Sequence, residues 1–322
     1  MKKLKPLLLS TFALLLFSCG GSDDTTETVD VVDTYNLLTI NSEGTIFLVG
    51  NNTGDLQTVG QMSSQTNLLQ LATMCRVGSK ILTIEASYVP APNILRIYDL
   101  NSNATTTFQI VLPTSLTTTM NDPFITNMNY NGTELIAIVS DNQPNDTHPN
   151  KVISINPQTY QTTDLNIDFY QRTLTSTELI NNKLYVGTNN DGLLVLDLAL
   201  KTVTEIQQNG AKFNSTKLAK TTNNKLALMK FGTTSLINDV LPYEFDITAG
   251  TFKDKASGNI FAVGNITGKT FFVNNEFLNF VYTIDSKFGL LKVNYNTNEQ
   301  EFIELNSNTI SPNATIVDII SI

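Results

Sequence analysis

Apolar and polar runs alternate along most of this chain in a unit that recurs. Residues 181–206 show the unit most clearly. A turn at 181–182 is followed by an apolar run at 184–188, a second apolar run at 193–198 and a half-polar run at 202–206. Short apolar runs bounded by turn residues predict β-strands, so this segment is expected to hold three consecutive strands of one sheet.

Each copy of the unit has an Asp or Asn after its second apolar run, where a short side chain bonds the backbone ahead and starts a turn. Successive anchors are 48, 57, 41, 49 and 48 residues apart. Repeats of this length, with four short strands each, are typical of a β-propeller. The six anchors, which predict six blades, are Asn51, Asp99, Asn156, Asp197, Asp246 and Asn294.

One region leaves the number of blades open. Residues 258–280 hold an additional apolar segment at 260–263, one more than six blades need. Seven blades are therefore the alternative to six.

We label the strands of a blade a to d, from the axis outwards. Asn and Gly accept positive φ and suit the tight turn between strands a and b. Inner strands have a neighbouring blade against each face and are expected to be continuously apolar. Strand d lies at the solvent-exposed rim and is expected to be half-polar. The predicted a–b turns are Gly78–Ser79, Asn131–Gly132, Asn181–Asn182, Asn223–Asn224 and Thr267–Gly268.

The two ends of the array predict a closed ring. The first copy supplies only three strands, at 35–40, 45–49 and 56–59, and the chain ends in a lone apolar strand at 315–322. Pairing of this C-terminal strand into the innermost place of the first blade would remove an open sheet edge. We therefore predict an all-β propeller domain over residues 34–322, closed by its C-terminal strand.

The copy at 184–189, 194–197 and 202–206 resembles the YVTN-type propeller repeat. The other copies match that motif poorly. The resemblance implies an extracytoplasmic propeller, and it implies no particular reaction because fold does not fix function.

The N-terminal residues predict attachment of the chain to a membrane. Lysines at positions 2, 3 and 5 precede an apolar stretch at 7–17, which is shorter than the roughly 20 residues that span a bilayer, and Cys19 follows. This order resembles a bacterial lipoprotein signal. It implies a signal peptide over residues 1–18 and an acylated Cys19 that anchors the chain in a lipid bilayer. An ordinary secretory signal is the alternative.

Residues 19–33 are small and acidic, which predicts a disordered tether. Their Ser-plus-acidic pattern resembles the export signal of surface lipoproteins of the Bacteroidetes. The resemblance implies an outer-membrane lipoprotein exposed on the cell surface, with a lipoprotein facing the periplasm as the alternative.

Composition narrows the function classes. The formal net charge of -9 disfavours nucleic acid, whose binding depends on Lys and Arg. Cys75 is the one cysteine besides Cys19, so neither an internal disulfide nor a Cys/His zinc site is expected, and its apolar surroundings predict a core position. The chain carries no nucleophile or phosphate-loop motif, and we assign no catalytic residue.

Long loops mark one face of the predicted disc. The b–c loops and the links between blades share this face, and they are long at 86–93, 111–124, 141–150 and 232–242. Such loops on a rigid scaffold are the usual place for recognition. The predicted ligand or partner face consists of Tyr88, Asp141, Asp146, His148, Asp191, Asp239 and Asp285. Aromatic residues near it, serving either binding or rim packing, are Tyr88, Phe124, Phe169, Tyr170, Phe213 and Phe288.

Acidic residues recur in the b–c loops of different copies. If they converge on the axis, Asp191, Asp239 and Asp285 supply the oxygen ligands that Ca²⁺ prefers; otherwise no cofactor is expected. The leading hypothesis is a non-catalytic binding lipoprotein that presents the loop face to an outer-membrane protein partner or a small ligand. The alternative is a Ca²⁺-dependent, lactonase-like propeller hydrolase.

Overall fold

The computed structural model describes residues 33–34, 37–41, 43–62, 71–85, 92–141, 149–170, 174–188, 192–213, 217–231, 238–255, 262–283, 287–306 and 316–321. The chain divides into a unit of Met1–Val31, which lies outside these residues, and a unit of Val32–Ile322. No helix of the described part is long and apolar enough to cross a membrane.

Short antiparallel strands and one helical turn make up the described chain. In chain order they are β1 (Leu37–Asn41), β2 (Thr45–Val49), β3 (Leu56–Gln61), β4 (Leu71–Val77), β5 (Lys80–Glu85), β6 (Asn93–Asp99), β7 (Ala104–Ile110), α1 (Thr114–Thr117), β8 (Phe124–Tyr130), β9 (Leu135–Ser140), β10 (Asn150–Ile155), β11 (Thr162–Phe169), β12 (Leu174–Ile180), β13 (Lys183–Thr188), β14 (Leu193–Asp197), β15 (Thr202–Gln208), β16 (Ala211–Lys212), β17 (Lys217–Lys220), β18 (Leu226–Phe231), β19 (Asn238–Asp246), β20 (Thr251–Asp254), β21 (Ala262–Val273), β22 (Glu276–Thr283), β23 (Phe288–Asn294), β24 (Gln300–Glu304) and β25 (Ile316–Ser321).

These strands form a six-bladed β-propeller, as the repeat predicts. Blade 1 has the order β25-β1-β2-β3, blade 2 has β4 to β7, blade 3 has β8 to β11, and blade 4 has β12 to β15 with β16 added at the rim. Blade 5 is β17 to β20 and blade 6 is β21 to β24. The inner strands β25, β4, β8, β12, β17 and β21 contact one another in succession, and β21 contacts β25, which closes the ring.

The predicted closure is confirmed. β25 pairs antiparallel with β1, with Leu38 opposite Ile320 and Ile40 opposite Asp318. The strand that ends the chain thus fills the innermost place of the blade that begins it, and blade 1 has no open inner edge.

The additional apolar segment belongs to a strand extension, which excludes the seven-bladed alternative. Ala262 and Val263 begin β21, which is twelve residues long, and they pair with Asp239 and Asn238 of β19. Blades 5 and 6 are thereby joined in one continuous sheet. Residues 260–261 lie outside the described chain.

Four of the five predicted a–b turns are confirmed, and the fifth is wrong. Thr267 and Gly268 lie inside β21, and the turn to β22 is formed instead by Asn274 and Asn275, whose φ values are +51° and +63°. Both asparagines take up the left-handed conformation that the tight turn requires, because their short polar side chains tolerate it.

The turn anchors act as predicted in blades 2 to 6. The Oδ1 atom of Asp197, for example, accepts hydrogen bonds from the backbone N–H groups of Ala199 at 3.1 Å and Leu200 at 2.9 Å. Asp99, Asn156, Asp246 and Asn294 likewise accept from backbone N–H groups two or three residues ahead. These backbone bonds are the largest cause of the lowered pKa of Asp99, Asp197 and Asp246.

Blade 1 departs from this scheme, so the prediction for Asn51 is wrong. The Oδ1 atom of Asn51 accepts from the backbone N–H of Thr34 at 2.9 Å, and Asp33 caps the turn instead. Asp33 accepts from the N–H groups of residues 52 and 53 at 2.8 and 2.9 Å. A residue ahead of the first strand thus takes over the role that the anchor has elsewhere.

Burial follows the predicted gradient from axis to rim. β13 is buried at every position after the first, whereas β15 has no buried residue. Cys75 is buried in the core, as expected. Close packing between blades also limits side-chain size at the rim, since a Cβ atom on Gly60 would clash with the Tyr98 hydroxyl.

Candidate functional site

A cavity of about 290 Å³ lies among the inner strands, at the hub of the ring. Its walls come from five blades, through β4, β8, β12, β21 and β25. Arg76, Asn129 and Glu178 line it and lie one or two residues from the end of their strands, so the cavity lies towards the a–b turns. We call it the axial cavity. Its volume is close to the lower end of the range for small-molecule sites, about 300 Å³.

Hydrogen bonds between neighbouring inner strands fix the wall of this cavity. Asn129 Nδ2 donates to Thr177 Oγ1 at 2.8 Å, which joins blade 3 to blade 4. The backbone N–H of Leu218 donates to Ser176 Oγ at 3.3 Å, and Thr270 Oγ1 donates to the Leu218 carbonyl at 2.6 Å. Small hydroxyl-bearing side chains thus connect blades 3 to 6 around the axis, and they hold the wall in one arrangement.

Arg76 is the exposed cation of the cavity wall. Its Nε donates to the Gly78 carbonyl at 2.8 Å, which fixes the direction of the side chain. Within the described residues Arg76 makes no ion pair, so its two terminal NH₂ groups are available to a ligand. Of the two arginines that the structure describes, Arg96 pairs with Glu85 at 2.7 Å and Arg76 has no carboxylate partner. A guanidinium in this state is suited to bind a carboxylate or another planar anion.

The predicted loop face is described at only one of its side chains. Asp141 directly follows β9, and its Oδ2 accepts from the backbone N–H of Asn121 at 2.8 Å. It therefore ties the link between blades 2 and 3 to the end of a b strand, which is a structural role. Tyr88, Asp146, His148, Asp191 and Asp285 lie outside the described residues, as does Cys19.

Asp239 lies in β19, where its backbone pairs with Ala262, and its side chain is outside what the structure describes. Among the described residues no group of three or more His, Cys, Asp or Glu side chains is placed to hold a metal ion. The calcium site at Asp191, Asp239 and Asp285 and the loop face stay predictions.

The aromatic residues named with that face divide into core and surface. Phe169 and Phe213 are buried, and Phe213 stacks on Phe252 with ring centroids 4.3 Å apart. Tyr170 is 63% exposed. Phe124 and Phe288 are half-buried. Packing accounts for the first two, and Tyr170 is the described member that is open to a partner.

The site residues predicted from the sequence lie on the face of long loops, and none of them lines the axial cavity. A signal was present: Arg76 and Glu178 are charged residues in otherwise inner, mostly uncharged strands, two or three positions before an a–b turn. Charged side chains at the ends of inner strands surround the axis of a propeller, and this placement can be derived from the repeat alone.

Comparisons with known proteins support the fold and go no further. No protein-family model matches the chain, and no curated protein matches it. Among solved structures, TolB from Acinetobacter baumannii has a TM-score of 0.58 and 10% identity over 88% of this chain and 65% of its own. A puromycin hydrolase S511A mutant complexed with PGG has a TM-score of 0.52 and 11% identity, over 81% of this chain and 42% of its own.

An extracellular domain from B. thetaiotaomicron has a TM-score of 0.50 and 14% identity, over 87% of this chain and 35% of that one. The chain thus spans less than two thirds of each of these proteins. At such identities the likeness shows a shared propeller fold and no shared activity.

Proposed function

We propose that this protein is a non-catalytic binding protein of the cell envelope, which captures a ligand or the extended end of a protein partner in the axial cavity. The observation that carries the proposal is the cavity itself, whose wall is built by five blades and fixed by hydrogen bonds between them. A rigid concave site with a few convergent polar groups is the usual form of a binding site.

The ligand that fits this wall bears a carboxylate. Arg76 offers two unpaired NH₂ groups at the cavity, and a carboxylate accepts two parallel hydrogen bonds from such a fork. Asn129 and Thr270 are already bonded to neighbouring strands and shape the wall. A C-terminal carboxylate of a partner chain and a small carboxylic acid share this chemistry.

Anchoring is the second part of the proposal. The lipoprotein signal and the acidic residues after Cys19 support a tethered protein at the outer membrane, exposed on the cell surface. A tether leaves both faces of the disc open to partners. The loop face that includes Asp141, with the exposed Tyr170 near it, is the second candidate surface for a larger partner.

The test is crosslinking on intact cells, followed by purification through a C-terminal tag and mass spectrometry. The native chain is compared with Arg76→Gln and with a chain in which residues 142–148 are shortened. We expect one abundant partner with the native chain and loss of that partner with Arg76→Gln, because the variant keeps the shape of the wall and removes the cation.

Lys80→Gln is the matched control, since Lys80 lies four residues away, at the start of β5 across the same turn. It should retain the partner. Loss of the partner only on shortening 142–148 would move the binding site to the loop face. Absence of any crosslinked protein, together with no change in Tm on adding succinate, would contradict binding at the axis.

A further inference from the structure

The inner strand of blade 6 breaks its pairing beside the axial cavity. In the ladder between β21 and β22, Thr267 is opposite Phe280 and the next pair is Phe271 opposite Leu278. Residues 268–270 of β21 therefore stand opposite the single residue Asn279. A bulge of this kind leaves backbone N–H and C=O groups without ladder partners and bends the strand.

Asn279 is completely buried, with 0% of its surface exposed. Within the described part of the chain, neither Oδ1 nor Nδ2 of its side chain has a hydrogen-bond partner. Along β22 it lies between Phe277 and Val281, and across the ladder it is opposite Leu291. All three of these residues belong to the apolar cluster between blades 5 and 6. An amide in such surroundings is costly unless its donors and acceptors are satisfied.

The bulge and the amide lie at the same junction. Thr270, the last residue of the bulge, donates its hydroxyl to the Leu218 carbonyl of blade 5. Asn279 points to that blade too, because alternation along β22 places it on the face of Phe277 and Val281. The amide without a partner and the bulge thus adjoin the junction between blades 5 and 6.

We propose that this junction holds a buried water site, in which one or more waters bridge the Asn279 amide to the backbone of residues 268–270. Water is the ligand that fits, because it both donates and accepts and typically makes about three hydrogen bonds to buried polar groups. The same waters fix the bulge that presents Thr270 and Phe271 to the axial cavity. This inference does not depend on the proposed binding function.

Replacing Asn279 by leucine tests the site through the sign of its effect on stability. If waters bridge the amide to the bulge, Asn279→Leu removes those bonds and leaves the backbone groups of residues 268–270 with fewer hydrogen-bond partners. The Tm of the full chain should then fall by about 2–6 °C. If the amide has no partner at all, the apolar side chain relieves a penalty and the Tm rises. An unchanged or raised Tm overturns the proposal.

Asn93→Leu is the matched control, because Asn93 is also a buried strand residue and both of its amide atoms have protein partners. Its Tm should fall in the same assay. A crystal structure of the native chain, at a resolution that shows ordered waters, is the direct measurement. We expect a water within about 3.2 Å of both Oδ1 and Nδ2 of Asn279; an amide packed against carbon atoms alone would overturn the site even if the leucine variant failed to fold.

Discussion

The junctions among blades 2, 3 and 4 differ from the junction between blades 5 and 6 in how the inner strands contact the next blade. In the first region, polar side chains of the inner strands bond directly to the next strand, as Thr73 does with Met128 and Asn129 does with Thr177. In the second region, β21 is longer than the other inner strands, pairs with β19 across the blade boundary and bulges opposite Asn279.

At the second junction, a buried cation lacks an oppositely charged partner among the described residues. Lys255 is only 7% exposed, its Nζ donates to the Tyr295 carbonyl at 2.6 Å, and it forms no ion pair among the described residues. Burial is the largest cause of its lowered pKa. Among the described residues, the buried Asn129 amide of a regular junction bonds to the next blade, whereas the Asn279 amide beside the bulge has no hydrogen-bond partner.

A matched pair of leucine truncations gives the largest expected effect. Leu184 lies in the core between blades 3 and 4, and Leu291 lies between blades 5 and 6; both are fully buried. We expect Leu184→Ala to lower the free energy of unfolding by about 3–5 kcal/mol and Leu291→Ala by about 2–3 kcal/mol, because an irregular junction collapses more readily around a cavity. Chemical denaturation of both variants is the measurement. Equal losses of unfolding free energy in the two variants would contradict the expected difference between the two junctions.

Replacing Lys255 by methionine should change how stability depends on alkaline pH. The folded pKa of Lys255 lies below its ordinary value of 10.5. In the window between the two values, the unfolded chain holds a proton that the folded chain lacks, so the native protein gains stability as pH rises. The Tm of Lys255→Met minus that of the native protein should therefore fall as pH rises from 7 to 10.

Other titrating groups surround Lys255, and the difference between the two proteins cancels most of their effect. Glu244 raises its pKa, and Lys253 and Lys225 lower it. Burial raises the pKa of the Tyr295 hydroxyl, which reduces the stability of the native protein above pH 10. A Tm difference that stays constant with pH would show that Lys255 keeps its ordinary pKa in the fold.

Turn anchors supply the smallest effect, and they should not distinguish the two regions. The pKa values of Asp99, Asp197 and Asp246 lie below 3.8, so the stability that these carboxylates contribute is complete above that pH and is lost as pH falls through the lowered values. Each Asp→Asn variant keeps the acceptor oxygen and loses this dependence. We expect the three single variants to show the same small flattening of Tm against pH below 4.

A larger change for Asp246→Asn than for Asp99→Asn would extend the difference between the regions to their turns. All three carboxylates have a lysine nearby, at Lys80, Lys183 and Lys225, which makes them well matched. Thermal unfolding at pH 3 to 5 gives the comparison.

The sequence by itself determined the repeating unit, four of the five predicted a–b turns and the closure of the ring. Anchors such as Asp197 act on backbone groups two or three residues ahead, and the C-terminal strand had one vacant place in blade 1. These features depend on short-range turn chemistry and on the alternation of apolar runs, both of which can be derived from adjacent residues.

Only the tertiary structure decided where the extra length of blade 6 goes and where a cavity forms. Pairing of Ala262 with Asp239 and the cap that Asp33 provides in blade 1 join separate segments of the chain, and the bulge opposite Asn279 interrupts the ladder between β21 and β22. Local preference is the same whether β21 begins a seventh blade or joins β19. The contacts between blades select one arrangement, because they alone bury the apolar face and set the register.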